Sequence, residues 1–252
     1  MNNSKKIFVY FNHNSINPEF LGTLFVQNVR GNELFSFEFN NEWLKNNPTK
    51  ILDPDLKLYS GHQYSLKNNF GIFLDSSPDR WGRRLMLRRE AILAKKNKCP
   101  IKKLKESDFL LGIYDQTRMG ALRFKTDLNG KFLNDDSNLV APPWTKLREL
   151  EEACRKLDDD EYQTEHEKWI STLIAPGSSL GGARPKASVL ASDNSLWIAK
   201  FPAHNDSINV SGWEYATMMM ARDCGLNTPE CKLEKLSRYG STFLVKRFDR
   251  DG

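Results

Sequence analysis

A glycine-rich turn leading into an apolar strand is the feature that most restricts how this chain can fold. The segment Ser178 to Leu190 reads SSLGGARPKASVL, with adjacent glycines at Gly181 and Gly182. Adjacent glycines permit positive φ angles and let backbone N–H groups approach an anion closely. Ala183 stands where a Walker A loop requires lysine, and the spacing is not G-x-G-x-x-G. The turn therefore predicts either a phosphate-binding loop or an ordinary turn before a strand.

Cationic side chains follow this turn. Arg184 and Lys186 add positive charge beside the glycines, and Lys200 lies inside the apolar segment SLWIAKFP of residues 195–202. A cation in an apolar strand is unfavourable unless an anion pairs with it, although a lysine at the solvent-facing end of a strand is common. In protein kinases, a strand after the glycine-rich hairpin carries the lysine that holds the nucleotide phosphates. Both interpretations of Lys200 stay open at this point.

A helix after this strand offers a carboxylate partner for the lysine. Apolar residues at a spacing of three to four predict a helix that begins near Val210 and stops at Gly225. Glu214, near the start of this helix, is placed to pair with Lys200. The alternative is a capping box, Ser211-x-x-Glu214, in which the glutamate serves its own helix. We favour the partner role because the capping role leaves Lys200 unexplained.

The rest of the chain predicts a mixed α+β protein. Period-two alternation and β-rich composition predict strands near residues 6–11, 22–27 and 34–39, and Ser77-Pro78 is typical of a helix start. A polar, proline-ended stretch at residues 134–143 predicts a linker, so we expect a domain boundary near residues 125–140.

Composition limits the possible compartments and sites. No apolar run approaches 18 residues, and the chain begins without an apolar leader segment, so we expect a cytoplasmic protein with no membrane partner. The four cysteines are scattered without a C-x-x-C pair, so no metal site is expected.

A basic segment offers another possible function. Residues 80–105 contain eleven Lys or Arg against one acid, Glu90, a net charge of +10. Such a segment is typical of a nucleic-acid-binding surface, but charge runs more often form a solvated helix face.

Several motifs in order resemble the HipA family, serine/threonine kinases that act as toxins of toxin–antitoxin pairs. They cover nearly the whole chain: Gly22-Thr23-Leu24, Phe37 to Trp43, Ser77 to Arg83, Arg118 to Phe124, Ser179 to Lys186, Ile198 to Pro202, Glu214-Tyr215 and Val245 to Arg250.

The resemblance implies a β-rich N-terminal subdomain with helices at residues 1–130. A kinase-like N-lobe, an antiparallel sheet with an αC-like helix, is then expected at residues 140–252. It also implies ATP and Mg²⁺ as cofactors, self-phosphorylation at Ser179, and Glu214 as the partner of the phosphate-binding lysine. The residues implied for ATP binding are Gly181, Gly182, Ala183, Arg184, Lys186, Lys200, Val245, Lys246, Arg247 and Phe248, of which the last four correspond to the adenine hinge.

The same resemblance implies partners and a missing part. Family members pair with a helix-turn-helix antitoxin of the HipB type, which binds DNA, and their substrates include an aminoacyl-tRNA synthetase. The catalytic Asp and the Mg²⁺ ligands of the family lie downstream of the hinge strand. We therefore expect no catalytic residue and no helical C-lobe within these 252 residues, and no kinase activity from them alone. The alternatives are a non-catalytic regulatory module of a toxin–antitoxin system and a nucleic-acid-binding protein that uses residues 80–105.

Overall fold

The computed structural model describes residues 4–12, 17–158, 172–173 and 180–249. In chain order its elements are β1 (Lys5–Phe11), β2 (Glu19–Val29), β3 (Asn32–Phe39), α1 (Asn41–Asn46), β4 (Gln63–Tyr64), α2 (Gly71–Asp75), α3 (Arg80–Asn97), α4 (Glu106–Leu111), β5 (Leu122–Lys125), α5 (Leu147–Asp158), β6 (Lys186–Leu190), β7 (Leu196–Lys200), α6 (Val210–Asp223), β8 (Cys231–Ser237) and β9 (Gly240–Lys246). Short 3-10 turns lie at Asp115–Thr117, Ser137–Leu139 and Trp144–Lys146. The predicted α+β class with antiparallel sheets is confirmed.

The chain divides into two compact units. Unit 1 comprises Met1–Pro78 and Lys103–Asp136, and unit 2 comprises Asp79–Lys102 and Ser137–Gly252. The predicted boundary region contains the break after Asp136, but helix α3 belongs to unit 2, although its sequence lies inside the predicted first domain. Compact units and family domains are different divisions of a chain, so the predicted domains 1–130 and 140–252 stay a prediction.

Unit 1 is built on a sheet with the strand order β4-β3-β2-β1-β5, whose neighbours are all antiparallel. Phe35, Phe37 and Phe39 alternate along β3 and are all buried, as their period-two spacing predicts. They join an apolar core with residues of β1, β2, α2 and β5. The hairpin between β2 and β3 turns at Arg30 and Gly31, both at positive φ, which is typical of a tight turn between antiparallel strands.

Unit 2 contains a second antiparallel sheet, with the order β6-β7-β9-β8. Helix α6 packs against β8 and β9, and α5 packs against β6 and β8. The apolar face of α5, with Leu150, Ala153 and Leu157, is fully buried. The glycine-rich turn directly precedes β6 in this sheet.

Helix α3 begins later than its sequence predicts. Ser77-Pro78 was expected to start it, but the helix begins at Arg80, and Asp79 is the N-cap, with its side chain accepting a hydrogen bond from the Arg80 backbone N–H. The Ser77 hydroxyl instead donates to the carbonyl of Phe73, in the preceding helix α2. The correction places Asp79, rather than a serine, at the helix start.

Candidate functional site

Lys200 and Glu214 meet within unit 2. Lys200 ends strand β7, and its ammonium group contacts the Glu214 carboxylate, which projects from the second turn of helix α6. Both side chains are about one-third exposed, at 32% and 35%. The ammonium group also lies 5.5 Å from the centre of the Phe243 ring. The lysine is therefore held by an anion, as its apolar strand requires.

The start of helix α6 separates the two interpretations of Glu214. Asn209 is the N-cap, because its side-chain oxygen accepts a hydrogen bond from the backbone N–H of Gly212 at 3.0 Å. Ser211 therefore lies inside the first turn, and its hydroxyl is 3.4 Å from the carbonyl oxygen of Lys200. The capping-box hypothesis for Ser211 and Glu214 is wrong for this helix. Glu214 is left to pair with Lys200.

A second lysine lies directly across the sheet from the first. In the antiparallel ladder of β6 and β7, Lys186 is the register partner of Lys200. Lys186 is 9% exposed, and its ammonium group donates to the carbonyl of Gly181. Burial lowers the pKa of Lys186, and the positive charge of Lys200 lowers it further. Like charges at opposed positions destabilise a sheet, and the nearby carboxylates of Asp79 and Glu214 offset part of this repulsion.

The glycine-rich turn closes over Lys186. Gly182 has a φ of +82°, in the region that favours glycine. A Cβ atom at this position would stand 2.5 Å from the ammonium nitrogen of Lys186. The positive φ favours glycine at this position, whereas the Lys186 ammonium group, at the end of a flexible side chain, could move aside for a Cβ atom.

The N-terminus of α3 holds this turn through contacts that sequence reasoning missed. Asp79 accepts a hydrogen bond from the backbone N–H of Gly182 at 2.7 Å, and the Trp81 backbone N–H donates to the Gly182 carbonyl at 3.0 Å. The fully buried Trp81 indole donates to the carbonyl of Lys186 at 2.9 Å. The hydrogen bonds from Gly182 and Arg80, together with the charge of Lys186, lower the pKa of Asp79. No local pattern in the sequence links Asp79 or Trp81 to this turn.

Arg184 is engaged by a carboxylate on the loop after β7. Its guanidinium forms a two-pronged ion pair with Asp206, which also accepts a hydrogen bond from the Ala203 backbone N–H at 2.9 Å. This pairing lowers the pKa of Asp206. Ala183, the neighbouring residue, is exposed. The ATP-binding roles of Arg184 and Ala183 stay predictions.

The predicted hinge segment ends strand β9. The backbone N–H groups of Lys246 and Arg247 donate to the carbonyls of Glu230 and Leu196, both at 2.8 Å. Arg247 is 4% exposed and forms an ion pair with Asp249. By contrast, Phe248 is 89% exposed. Val245 pairs with residues of both neighbouring strands, and the role of the segment in adenine binding stays a prediction.

Ser179, the predicted phosphorylation site, lies outside the described residues. Within those residues, no three His, Cys, Asp or Glu side chains come together as ligands for a metal ion. None of the helices in the described part of the chain combines the length and apolar character that a bilayer span requires.

Two arginines of the basic segment, residues 80–105, make contacts within unit 2. The guanidinium of Arg84 lies 4.8 Å from the centre of the Trp81 ring. That of Arg88 donates to the carbonyl of Leu157 at 2.6 Å. These two charges serve the packing of α3, which favours a structural use for this part of the segment.

Comparisons with known proteins agree with this geometry. Residues 178–252 match the family model of the HipA-like C-terminal domain. Among solved structures, the chain is similar to HipA of Shewanella oneidensis MR-1, determined as a complex of HipA, HipB and its operator DNA, with a TM-score of 0.51 and 15% sequence identity. The match covers 98% of this chain and 51% of that one, so the chain spans about half the length of its structural relative. At this identity the likeness shows the fold. A search of curated proteins gives no match.

Proposed function

We propose that this chain belongs to the HipA family, whose C-terminal-domain model matches residues 178–252, and that its second unit binds ATP as part of a HipA-type serine/threonine kinase. The single observation that carries the proposal is the ion pair of Lys200 and Glu214 beside the glycine-rich turn. A lysine held by a glutamate on a following helix is the arrangement with which protein kinases position nucleotide phosphates.

The residues around this pair fit a polyphosphate. Lys186 and Lys200 oppose each other across β6 and β7, so an anion between or beside them relieves the repulsion of two like charges. The glycine-rich turn adds backbone N–H groups close to the same lysines. ATP with Mg²⁺ would supply the transferable phosphoryl group and part of the charge neutralisation. In this proposal Lys200 orients the phosphates and Glu214 holds the lysine in place.

The partners follow from the same family. The structural relative was solved with HipB and operator DNA, which supports an antitoxin of the HipB type as partner here and DNA contact through that antitoxin. We also propose a cytoplasmic location for this chain, a protein substrate for which an aminoacyl-tRNA synthetase is one candidate, and self-phosphorylation at Ser179. In this proposal the adenine ring lies against Val245 to Phe248.

The test is nucleotide binding by the 252-residue chain. The affinity for ATP with Mg²⁺ is measured by isothermal titration calorimetry for the natural chain and for Lys200→Ala and Glu214→Gln. Loss of the phosphate-positioning charge is expected to weaken binding on the order of tenfold for Lys200→Ala, and by several-fold for Glu214→Gln, which keeps the shape but removes the charge.

Lys235→Ala is the matched control. This lysine is exposed on β8, in the same unit, so its removal changes the net charge equally and should leave ATP affinity unchanged. Circular dichroism and thermal unfolding establish that each variant is folded. Equal ATP affinity for the natural chain and the folded Lys200→Ala variant would refute the proposed site.

A further inference from the structure

Asp79 uses its two carboxylate oxygens for two different tasks. Oδ1 accepts the backbone N–H of Arg80 at 2.8 Å, which caps helix α3. Oδ2 accepts the backbone N–H of Gly182 at 2.7 Å. Helix capping alone needs only the first contact. The second joins residues that are 103 positions apart in the chain, and it places a negative charge on an amide of the glycine-rich turn.

The carboxylate occupies a position that suits a phosphate oxygen. Backbone N–H groups of a glycine-rich turn bind anions because they are donors without a required partner. Here the Gly182 N–H already has an anionic acceptor. The ammonium group of Lys186 lies close to the same turn and attracts the Asp79 carboxylate, and this attraction contributes to its low pKa. A nucleotide phosphate that approaches the turn meets this carboxylate on the same donor.

The turn is held on its other side as well. The Trp81 backbone N–H donates to the carbonyl of Gly182. Asp79 binds the N–H of this glycine and Trp81 binds its carbonyl, so both of its polar backbone groups are held by the start of α3. The turn is therefore fastened to the helix start through one anionic contact and one neutral contact. Only the anionic contact competes with a phosphate.

We propose that Asp79 is an internal anionic latch, which occupies the Gly182 amide and competes with nucleotide phosphate for the glycine-rich turn. This proposal rests on the proposed function, because it assumes that the turn binds phosphate. Entry of a phosphate displaces the carboxylate and breaks the anionic contact of the turn with the start of α3, while the neutral contact from Trp81 remains. The residue thus sets the affinity for the phosphate part of the nucleotide, and it leaves the affinity for the nucleoside part unchanged.

The experiment compares three ligands and two substitutions. Asp79→Asn keeps the side-chain shape and removes the charge, and Asp79→Ser keeps a favoured N-cap with a shorter side chain. Dissociation constants are measured for ATP with Mg²⁺, inorganic triphosphate and adenosine. Both variants are expected to bind ATP and triphosphate more tightly, on the order of tenfold for Asp79→Ser, with unchanged affinity for adenosine. Asp127→Ser, which alters an exposed turn aspartate of unit 1, is the control and should change none of the three.

Hydrogen exchange tests the latch without any nucleotide. Faster exchange of the backbone amides of residues 180–184 in both Asp79 variants, with no change in unit 1, is expected. Unchanged exchange would overturn the latch whatever the ligands do. If the natural chain binds ATP and the variants bind it equally or more weakly, the latch is overturned and the proposed function stands. If neither the natural chain nor the variants bind ATP or triphosphate, the proposed function fails and the latch as a nucleotide gate fails with it.

Discussion

Each unit of the molecule buries a cation in its own way. In unit 1, Arg118 is 0% exposed, and its two terminal nitrogens donate to four backbone carbonyls: those of Ser76, Leu110, Ile113 and Leu133. Its guanidinium lies 4.6 Å from the centre of the Phe124 ring. In unit 2, Lys186 is almost as buried but stands opposite another lysine.

The difference separates a structural charge from one that we propose to be functional. All four terminal N–H groups of Arg118 have acceptors within its unit, so the charge joins separate chain segments. Lys186 has a lowered pKa because burial and Lys200 both oppose its charge. Buried ionisable groups with perturbed pKa values cluster at functional sites. The two buried cations therefore predict opposite responses to mutation.

The largest effect is expected from Arg118→Met. Removal of the guanidinium leaves buried carbonyls without a donor, and each such group costs about 1–3 kcal/mol. We expect the free energy of unfolding to fall by at least about 3 kcal/mol, measured by urea denaturation monitored by circular dichroism. Lys131→Met removes a cation that is 85% exposed, also in unit 1, and should change stability by less than about 0.5 kcal/mol. Similar midpoints for the two variants would show that Arg118 is not a structural hub.

Lys186→Met should have the opposite sign. Methionine keeps the apolar stem and removes a desolvated charge opposed to Lys200, so we expect an increase in stability of up to about 1 kcal/mol at neutral pH. The lowered pKa means that the folded state disfavours the protonated form, so the penalty holds below the folded pKa and declines as pH rises above it. The gain from methionine should therefore shrink at alkaline pH.

The same variant should weaken binding of ATP with Mg²⁺ by several-fold, because the site loses a positive charge. Stability and affinity are measured on one sample by thermal unfolding and calorimetry. If Lys186→Met is less stable than the natural chain and binds ATP with unchanged affinity, Lys186 is a structural cation like Arg118. The contrast between the two buried cations would then be lost.

Glu151 of α5 gives the smallest and most specific test. It is 4% exposed, the Thr242 hydroxyl donates to it at 3.3 Å, and burial raises its pKa. A raised carboxyl pKa means that ionisation destabilises the folded state, a cost absent below the unfolded pKa and complete above the folded one. Glu151→Gln should raise Tm on the order of 1 °C at neutral pH, with no gain near pH 3.5. An equal gain at both pH values would show that charge is not the cause.

Much of the fold could be predicted from local patterns. Alternating phenylalanines mark the buried face of β3, and residues 178–252, whose motifs resemble the HipA family, match the model of the HipA-like C-terminal domain. The start of α3 was misplaced because both Ser77 and Asp79 suit an N-cap, and only the contact of Ser77 with Phe73 decides between them. A sequence pattern that spans a single helical turn cannot show which of two suitable N-cap residues the tertiary contacts favour.

The candidate site was predicted only in part. Lys200 and Glu214 were proposed as a pair, and they are in contact, because strand, loop and helix follow one another within 14 residues. Because Asn209 caps the helix, Glu214 is not needed as a capping residue and is available to pair with Lys200. Asp79 and Trp81, which hold the glycine-rich turn, could not be found, because they lie about 100 residues away with no pattern that links them to it.

The sequence by itself determined the class of the elements and favoured Glu214 as the partner of Lys200, because both depend on backbone geometry or on groups close in the chain. The tertiary structure decided which charges face each other. Strand register sets Lys186 against Lys200, and the packing of α3 in unit 2 brings Asp79 to Gly182. Electrostatic contacts depend on distances in space, so the same lysines and aspartates become structural, binding or competing groups only after the chain has folded.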